Sequence, residues 1–391
     1  MSIFQYFVPG RTLFGYGCLA GIGPEIQANG YKKALIVTDP SLVELGIVKK
    51  VTDILEEYSI NFALYSGVKP NPDLGDVEKG LALVKEESCD FLISVGGGSA
   101  HDCAKAVGIV AANGGSVLDY RGVDKSSRPS LPVVAVNTTA GTASECTRAY
   151  VIVNEETSEK FGIKDRHALP VLAVDDHSLM MDLPKGLTAG TGMDALTHAI
   201  EAYTSVNGFL LTCSLALEAV RLIFKHLEVA VLCPDQASRE GMAAGQYLAG
   251  LAFGNAGCGL VHSMSHQLSA VYGLPHGLCN GILLPEVMKF NCGSDKARQQ
   301  YGEIGEAIFP LECHGKTEEE KAEILIRKVE NLSEQVGTRV PLKEIGVKKE
   351  DLGLLAHKAL QDGSLGNNRV LPSAEQVERI YDVLMERREE G

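Results

Sequence analysis

The stretch FLISVGGGSAHDCAKAVGIVAANGG, residues 91–115, decides the fold of the first half of the chain. It opens with a short, mostly apolar run that is typical of a strand buried on both faces. Three glycines follow, and the remainder has the composition and spacing of a helix. A strand that passes through a glycine-rich turn into a helix is the repeating unit of an α/β domain with a parallel sheet.

The flanking segments repeat this alternation of strand and helix. A helix is predicted at 78–90, and further strands are predicted at ALIVTD (34–39), LPVVAVNTT (131–139) and VLAVDDHSLM (171–180). We therefore predict an α/β N-terminal domain, residues 1–184, with a mostly parallel, Rossmann-like sheet.

After Pro184 the pattern becomes helical, with few β-rich runs. Helices are predicted at 187–205, 212–230, 236–252, 258–271, 296–308, 317–337 and 374–388. The second predicted domain, residues 185–391, is therefore all-α.

Composition limits the classes of partner and compartment. The net charge is −14 without a dense Lys/Arg run, which argues against nucleic acid or an anionic membrane surface as a partner. The N-terminal residues do not resemble a signal peptide, and no long uncharged apolar run predicts a membrane span. Ten cysteines occur without any CxxC spacing, which is typical of reduced thiols. These features predict a cytoplasmic protein.

Glycine- and hydroxyl-rich loops follow two of the predicted strands. GGGS (96–99) opens a helix, where free backbone N–H groups and the helix dipole favour a phosphate, although a tight structural turn is the alternative. NTTAGTASE (137–145) lies at the same carboxyl edge of the sheet, where open α/β folds bind ligands. Asp39 ends another strand at this edge. Its carboxylate either accepts the ribose hydroxyls of NAD and repels the 2′-phosphate of NADP, or caps the next helix.

The strongest chemical signal comes from two segments of the helical half, GTGMDALTHAIEAY (190–203) and GLVHSMSHQLSAVYGLPHG (259–277). Each carries polar residues four apart on a predicted helix, so each pair faces the same side. Burying one carboxylate and several imidazoles without partners is costly, and a divalent transition metal removes that cost. The spacing alone leaves five candidate ligands: Asp194, His198, His262, His266 and His276.

At this point the chain resembles the iron-containing (group III) alcohol dehydrogenases. The resemblance rests on four motifs in the family's order, GGGSAHDCAKA, NTTAGTASE, TAGTGMDALTHAIEAY and GLVHSMSHQLSAVYGLPHG, and it covers nearly the whole chain. It implies the architecture that this family shares with dehydroquinate synthase. It also implies Asp194, His198, His262 and His276 as metal ligands, with His266 as a catalytic residue that relays a proton. The NAD contacts that it implies are Asp39, Asn71, Gly97, Gly98, Ser99, Asp102, Thr138, Thr139, Thr142 and Lys160.

Four side-chain ligands would close a tetrahedral zinc site, whereas Fe²⁺ accepts five or six ligands and keeps room for a substrate oxygen. We therefore expect Fe²⁺, with Zn²⁺ as a possible substitute. The expected activity is that of an NAD-dependent alcohol dehydrogenase or aldehyde reductase acting on a small primary alcohol or diol, and the expected assembly is a homo-oligomer, a dimer or larger.

The residues leave three other interpretations open. One is a metal-dependent lyase similar to dehydroquinate synthase, and another is a metal or nucleotide binder without catalytic activity. The third is a reductase dedicated to an anionic aldehyde. For that reading Arg166 is the candidate anion-binding residue. Independently of it, the family resemblance implies that Ser364 borders the substrate.

Overall fold

The computed structural model describes residues 3–157 and 159–386. The chain divides into two compact units. Gln5–Asp182 form one, and the residues from Leu183 onward, together with the segment before Gln5, form the other. Among the described residues, no helix has both the length and the apolar character needed to cross a membrane.

A six-stranded sheet organises the first unit, and all of its neighbouring strands are parallel. The strand order is β1-β9-β6-β4-β2-β3. The central strand β4 is buried along its whole length, as expected for a parallel sheet covered on both faces. The six strands are β1 (Arg11–Phe14), β2 (Lys33–Val37), β3 (Asn61–Tyr65), β4 (Phe91–Gly96), β6 (Val133–Asn137) and β9 (Leu172–Asp175).

Helices cover both faces of this sheet. Apolar residues of α1 and α3 pack on one face, and those of α4 and α5 pack on the other. The helices of this unit are α1 (Ile22–Asn29), α2 (Pro40–Glu44), α3 (Ile47–Glu57), α4 (Leu74–Glu86) and α5 (Gly98–Asn113). The prediction of an α/β layer with a mostly parallel sheet is therefore confirmed.

A second, three-stranded sheet lies on the α5 side of this core and was not predicted. It has the order β5-β8-β7, in which β7 and β8 form an antiparallel hairpin. Tyr150 and Ile152 of the hairpin are buried in the same core as α4 and α5. Its strands are β5 (Gly122–Val123), β7 (Ala149–Asn154) and β8 (Glu159–Lys164).

The second unit is helical, as predicted. Its helices are α6 (Lys185–Thr204), α7 (Leu210–Leu232), α8 (Gln236–Ala256), α9 (Leu260–Tyr272), α10 (His276–Asn291), α11 (Asp295–Ile308), α12 (Pro310–Cys313), α13 (Glu318–Gln335), α14 (Leu352–Ala359) and α15 (Ala374–Leu384). The end of the last predicted helix, residues 387 and 388, lies outside the described residues.

Helix α10 is the main element that the sequence analysis missed. Pro285 lies inside it, and nearly every residue from Cys279 to Met288 is buried, so no amphipathic period marks the segment. Its sequence therefore resembles an irregular apolar segment rather than a helix, although its first residue, His276, is one of the candidate metal ligands.

Candidate functional site

The first two candidate ligands lie on the buried helix α6. Asp194 and His198 are one turn apart on the same face, and the Oδ1 atom of Asp194 is 3.8 Å from Nε2 of His198. Both side chains are almost completely shielded from solvent. A carboxylate in such surroundings needs hydrogen bonds or a cation to offset its lost hydration.

The other two candidate ligands come from the first turns of α9 and α10. His262 lies at the start of α9, and its Nε2 is 3.7 Å from Asp194 Oδ1. His276 is the first residue of α10, and its Nε2 is 3.6 Å from the same oxygen. Two glycines allow this approach, because a Cβ on Gly277 would lie 2.3 Å from the carbonyl oxygen of Gly190 on α6.

Three imidazole nitrogens therefore surround one carboxylate oxygen. The ligand atoms of Asp194, His262 and His276 all lie within 4.8 Å of one another. The amide nitrogen of Asn280 is 2.6 Å from Asp194 Oδ1, 3.3 Å from His262 Nε2 and 3.2 Å from His276 Nε2. It carries only two hydrogens and so cannot satisfy three acceptors at once. This donor set fits a divalent transition metal with nitrogen and oxygen ligands.

A second carboxylate fixes the orientation of His262. Glu201 Oε2 lies 2.6 Å from His262 Nδ1, and its two oxygens also accept the backbone N–H groups of Gly259 and Val261 at 2.8 and 2.7 Å. A carboxylate in this position requires the proton on Nδ1 and leaves the Nε2 lone pair free for a metal. Glu201 thus accepts hydrogen bonds both from the N-terminal backbone of α9 and from His262, the candidate ligand on this helix.

His266 follows the candidate ligand His262 on α9 and has its own carboxylate partner. Its Nδ1 lies 2.8 Å from Asp362 Oδ2, and its ring stacks on His276 with centroids 5.2 Å apart. Burial raises the pKa of Asp362, but the imidazole of His266 and the N–H of Ser364 outweigh it, so the pKa is lowered. Ser364 therefore contributes its backbone to the Asp362 contact.

The glycine-rich turn and the threonine loop of the first unit come into close contact. Gly97 precedes α5, and a Cβ there would lie 2.9 Å from Thr139 Oγ1. A Cβ on Gly98 would lie 3.1 Å from the side chain of Thr142. The Thr138 N–H donates to the carbonyl of Gly96 at 3.0 Å. The structure thus brings these predicted NAD-contacting residues to one edge of the sheet.

Asn71, Ser99 and Lys160 also lie together, although they are far apart in sequence. The Asn71 N–H donates to Ser99 Oγ at 3.3 Å, and the Lys160 ammonium donates to Asn71 Oδ1 at 2.9 Å. Asn71 adopts a left-handed backbone conformation with φ of 59°. The two hydrogen bonds of Asn71 bring the three predicted NAD contacts together beside the start of α5.

Two predicted NAD contacts have structural partners that account for them at least in part. Asp39 caps α2, because its Oδ1 accepts the Leu42 N–H at 3.2 Å. Asp102 accepts the Ser144 hydroxyl at 2.7 Å and the Val151 N–H at 2.9 Å, which ties α5 to the second sheet. Burial raises the pKa of Asp102, although the nearby Lys105 ammonium opposes this shift.

Arg166, the candidate anion-binding residue, is engaged by a carboxylate. Its guanidinium lies 3.0 Å from Asp124 Oδ2, and its backbone N–H donates to the other oxygen of Asp124 at 2.8 Å. Arg148 contacts the same carboxylate at 3.2 Å. Part of the charge of Arg166 is therefore already neutralised within the protein.

The sequence analysis missed three polar groups beside the candidate ligands: Glu201, Asn280 and Cys258. Glu201 continues the stripe of Asp194 and His198 by one more turn, and Asn280 is four residues after His276, so helical spacing could have identified both. Cys258 carries no such signal. Its thiol, with ring nitrogens of His198 and His262, forms a second group of potential ligand atoms within 4.8 Å of one another.

Comparisons with known proteins identify the family of the chain. Residues 9–177 match the family model for iron-containing alcohol dehydrogenase, and residues 188–385 match the C-terminal model of the Fe-containing alcohol dehydrogenase family. The chain is 45% identical to alcohol dehydrogenase 4 of Schizosaccharomyces pombe, over 98% of this chain and 90% of that protein. It is 41% identical to 1,3-propanediol dehydrogenase of Klebsiella pneumoniae, over 97% of this chain and 98% of that protein.

A solved structure gives the same result. The crystal structure of a 1,3-propanediol oxidoreductase superimposes with a TM-score of 0.95 at 40% identity, covering 98% of this chain and all of that one. The chain therefore belongs to the iron-containing alcohol dehydrogenase family, and it is an NAD- and Fe²⁺-dependent oxidoreductase that transfers hydride between a CH–OH group and the nicotinamide.

Proposed function

We propose that the protein interconverts a small primary alcohol or diol and the corresponding aldehyde, with Fe²⁺ held by Asp194, His198, His262 and His276. The observation that carries the proposal is the convergence of three imidazole Nε2 atoms on Asp194 Oδ1 at 3.6 to 3.8 Å. We assign metal binding to the predicted domain 185–391 and NAD binding to the predicted domain 1–184.

When bound, Fe²⁺ supplies a Lewis acid that polarises the alcohol oxygen and favours loss of its proton. The protein residues position this chemistry. Asp194 contributes the negative charge of the ligand set, and Glu201 keeps the Nε2 lone pair of His262 available. His266 accepts the hydroxyl proton, and Asp362 orients its ring and stabilises the imidazolium that forms.

The nucleotide is held by the loops at the carboxyl edge of the six-stranded sheet. The glycines that precede α5 let a pyrophosphate approach the helix terminus, and Thr138, Thr139 and Thr142 supply hydroxyl groups beside it. Asn71, Ser99 and Lys160 add an amide, a hydroxyl and a positive charge at the same edge. Asp39 favours NAD over NADP through its charge, because only one of its oxygens is needed for the cap.

The two remaining catalytic interpretations receive less support from the site. A lyase acting on a phosphorylated substrate needs several cations around the metal, whereas the described polar partners of the Asp194 side chain are imidazole and amide groups. A dedicated anionic aldehyde would require Arg166 to release Asp124.

The direct test uses Asp194→Asn and His276→Ala, reconstituted anaerobically with Fe²⁺. We expect both variants to keep the fold, to lose most bound iron by elemental analysis, and to lose alcohol-dependent NADH formation. Full iron occupancy in His276→Ala would refute its role as a ligand. Restoration of the unmodified apoprotein by zinc alone, and not by iron, would refute the assignment of Fe²⁺.

We further propose a cytoplasmic location and a homo-oligomeric assembly. All ten cysteines lie in the described residues as free thiols, which suits a reducing compartment. Exposed apolar side chains gather around the start of α7, including Leu210 at 79% and Leu211 at 50% exposure, and a subunit contact would cover them. Sedimentation analysis of the purified protein tests the assembly, and a monomer would contradict it.

A further inference from the structure

Cys258 lies in a turn whose backbone is fixed on every side. Gly257 and Gly259 flank it, and neither position has room for a side chain. A Cβ on Gly257 would lie 2.5 Å from Asn367 Nδ2, and one on Gly259 would lie 2.7 Å from Asn368 Oδ1. The Asn367 amide donates to the carbonyl of Cys258 at 3.0 Å. The backbone position of Cys258 is therefore set by the fold.

The thiol lies beside two of the candidate iron ligands. The sulfur of Cys258 and one ring nitrogen each of His198 and His262 are within 4.8 Å of one another. His198 is 4% exposed, and its Nδ1 is buried without a hydrogen-bond partner among the described residues. Phe253 stacks on the same ring at 3.9 Å and keeps water from that face. Two imidazoles and one thiol brought together in this way are a typical ligand set for a thiophilic divalent cation.

We propose that Cys258, His198 and His262 form a second set of metal ligands that takes Zn²⁺ or a similar thiophilic divalent cation. The thiol releases its proton to solvent as the metal binds. Because this set shares both histidines with the Asp194 set, a single metal ion uses one set or the other. One sulfur and two nitrogens leave the fourth tetrahedral position open, which is the arrangement of a catalytic rather than a closed zinc site.

The distances between the Cys258, His198 and His262 ligand atoms require only small side-chain movements for all three to bind one metal ion. Ligand atoms around a tetrahedral zinc with one thiolate and two imidazoles are separated by about 3.5 Å, given metal–ligand distances of about 2.3 and 2.0 Å. The three atoms must therefore close by at most about 1.3 Å, which small rotations of the three side chains provide. The two sets also differ in chemistry, because a thiolate selects zinc whereas a carboxylate suits iron.

This inference goes beyond the proposed function and does not depend on alcohol oxidation. Its consequence is that the identity of the metal decides which side chains hold it. Zinc moves towards Cys258 and away from Asp194, whereas iron stays with Asp194 and His276. A protein with zinc in the second set would carry a metal in a different place from the iron-loaded protein.

Anaerobic titration of the apoprotein with Co²⁺ tests the proposal, because a cobalt–thiolate bond gives a charge-transfer band in the near ultraviolet. The decisive variant is Asp194→Asn, which weakens the competing set. We expect stoichiometric cobalt binding with this band in Asp194→Asn, and loss of the band in the double variants Asp194→Asn/Cys258→Ser and Asp194→Asn/His198→Ala. Asp194→Asn/Cys233→Ser, which removes an exposed thiol elsewhere, serves as the matched control and keeps the band.

Zinc affinity gives an independent readout in the otherwise unmodified chain. Cys258→Ser should lower zinc affinity by more than about tenfold and leave Fe²⁺ affinity unchanged, with the thermal unfolding of the apoprotein as the check on folding. Cobalt that does not bind to Asp194→Asn, or binds without the thiolate band, overturns the proposal. Retention of iron by Asp194→Asn would instead count against the proposed function alone.

Discussion

The contact between Glu201 and His262 leads to a sharp prediction for metal affinity. Glu201 accepts three hydrogen bonds, two from the backbone at the start of α9 and one from His262 Nδ1. In Glu201→Gln one of the two acceptor oxygens becomes an NH₂ donor of nearly the same size. At the Oε2 position this donor would face both the Gly259 N–H and the Nδ1–H of His262, and at the Oε1 position it would face the Val261 N–H.

If the NH₂ group takes the Oε2 position, His262 removes its part of the conflict by moving its proton. With the proton on Nε2, Nδ1 accepts a hydrogen bond from the new amide, but Nε2 then presents hydrogen to the ligand set, and its lone pair is lost to the metal. Replacing the partner of a metal-binding histidine typically costs 10- to 100-fold in affinity. We therefore expect Fe²⁺ affinity to fall by about 1.4 to 2.8 kcal/mol, since each factor of ten is about 1.4 kcal/mol.

Chelator competition under anaerobic conditions measures this change directly. Glu330→Gln is the matched control, because it makes the same substitution at a buried glutamate that pairs with Lys289 on another helix of the unit. We expect the control to bind Fe²⁺ like the original protein. Unchanged Fe²⁺ affinity in a folded Glu201→Gln variant would refute the reasoning, whereas equal losses in both variants would show a general effect on folding.

Three further predictions concern cofactor preference, the pH dependence of stability and removal of the metal. Asp39→Asn retains an acceptor for the Leu42 N–H but removes the negative charge. It should therefore raise kcat/KM for NADP⁺ relative to NAD⁺ and leave the Tm unchanged. An unchanged ratio of the two kcat/KM values would show that Asp39 acts only as a helix cap. Burial, assisted by the charge of Lys105, lowers the pKa of His101 to about 3 from 6.5, so below about pH 6.5 the unfolded chain binds a proton that the folded chain does not. As the pH drops from about 6 to 4, the unfolding free energy of the original protein should therefore fall more steeply than that of His101→Gln. The difference in slope should reach up to about 1.4 kcal/mol per pH unit. Parallel pH profiles of the two proteins would contradict this. Anaerobic chelation should abolish NADH formation but leave the far-ultraviolet circular dichroism unchanged, and unfolding on chelation would contradict a site held by protein contacts.

The elements that follow local rules were predicted well. The strand at 34–39 corresponds to Lys33–Val37, and the helix at 187–205 corresponds to Lys185–Thr204. In both cases the apolar pattern and a nearby turn or proline mark the segment without help from the rest of the chain. The placement of Asp194 and His198 was also predicted from local sequence, because helical spacing alone puts the two side chains on one face.

The features that depend on distant contacts were not predicted. Helix α10 is buried on all sides and contains Pro285, so its sequence has no period to detect. The β7–β8 hairpin is stabilised by packing on α5 rather than by a strong turn motif. Helical spacing puts Glu201 on the face of Asp194 and His198, but its hydrogen bonds to backbone groups 58 and 60 residues away arise from the tertiary fold, and that spacing does not predict them.

The same contacts explain why the site should exist before the metal arrives. Glu201 holds His262 through a hydrogen bond, and Asn280 holds Asp194 from the neighbouring helix at 2.6 Å. Neither contact involves the ion, and each joins α6 to a helix that carries a candidate ligand. In small zinc domains the metal supplies the folding energy, whereas here the helices are already buried against one another. Metal binding therefore has to overcome only small side-chain adjustments, and this lets two ligand sets built on the same two histidines remain available to different metals.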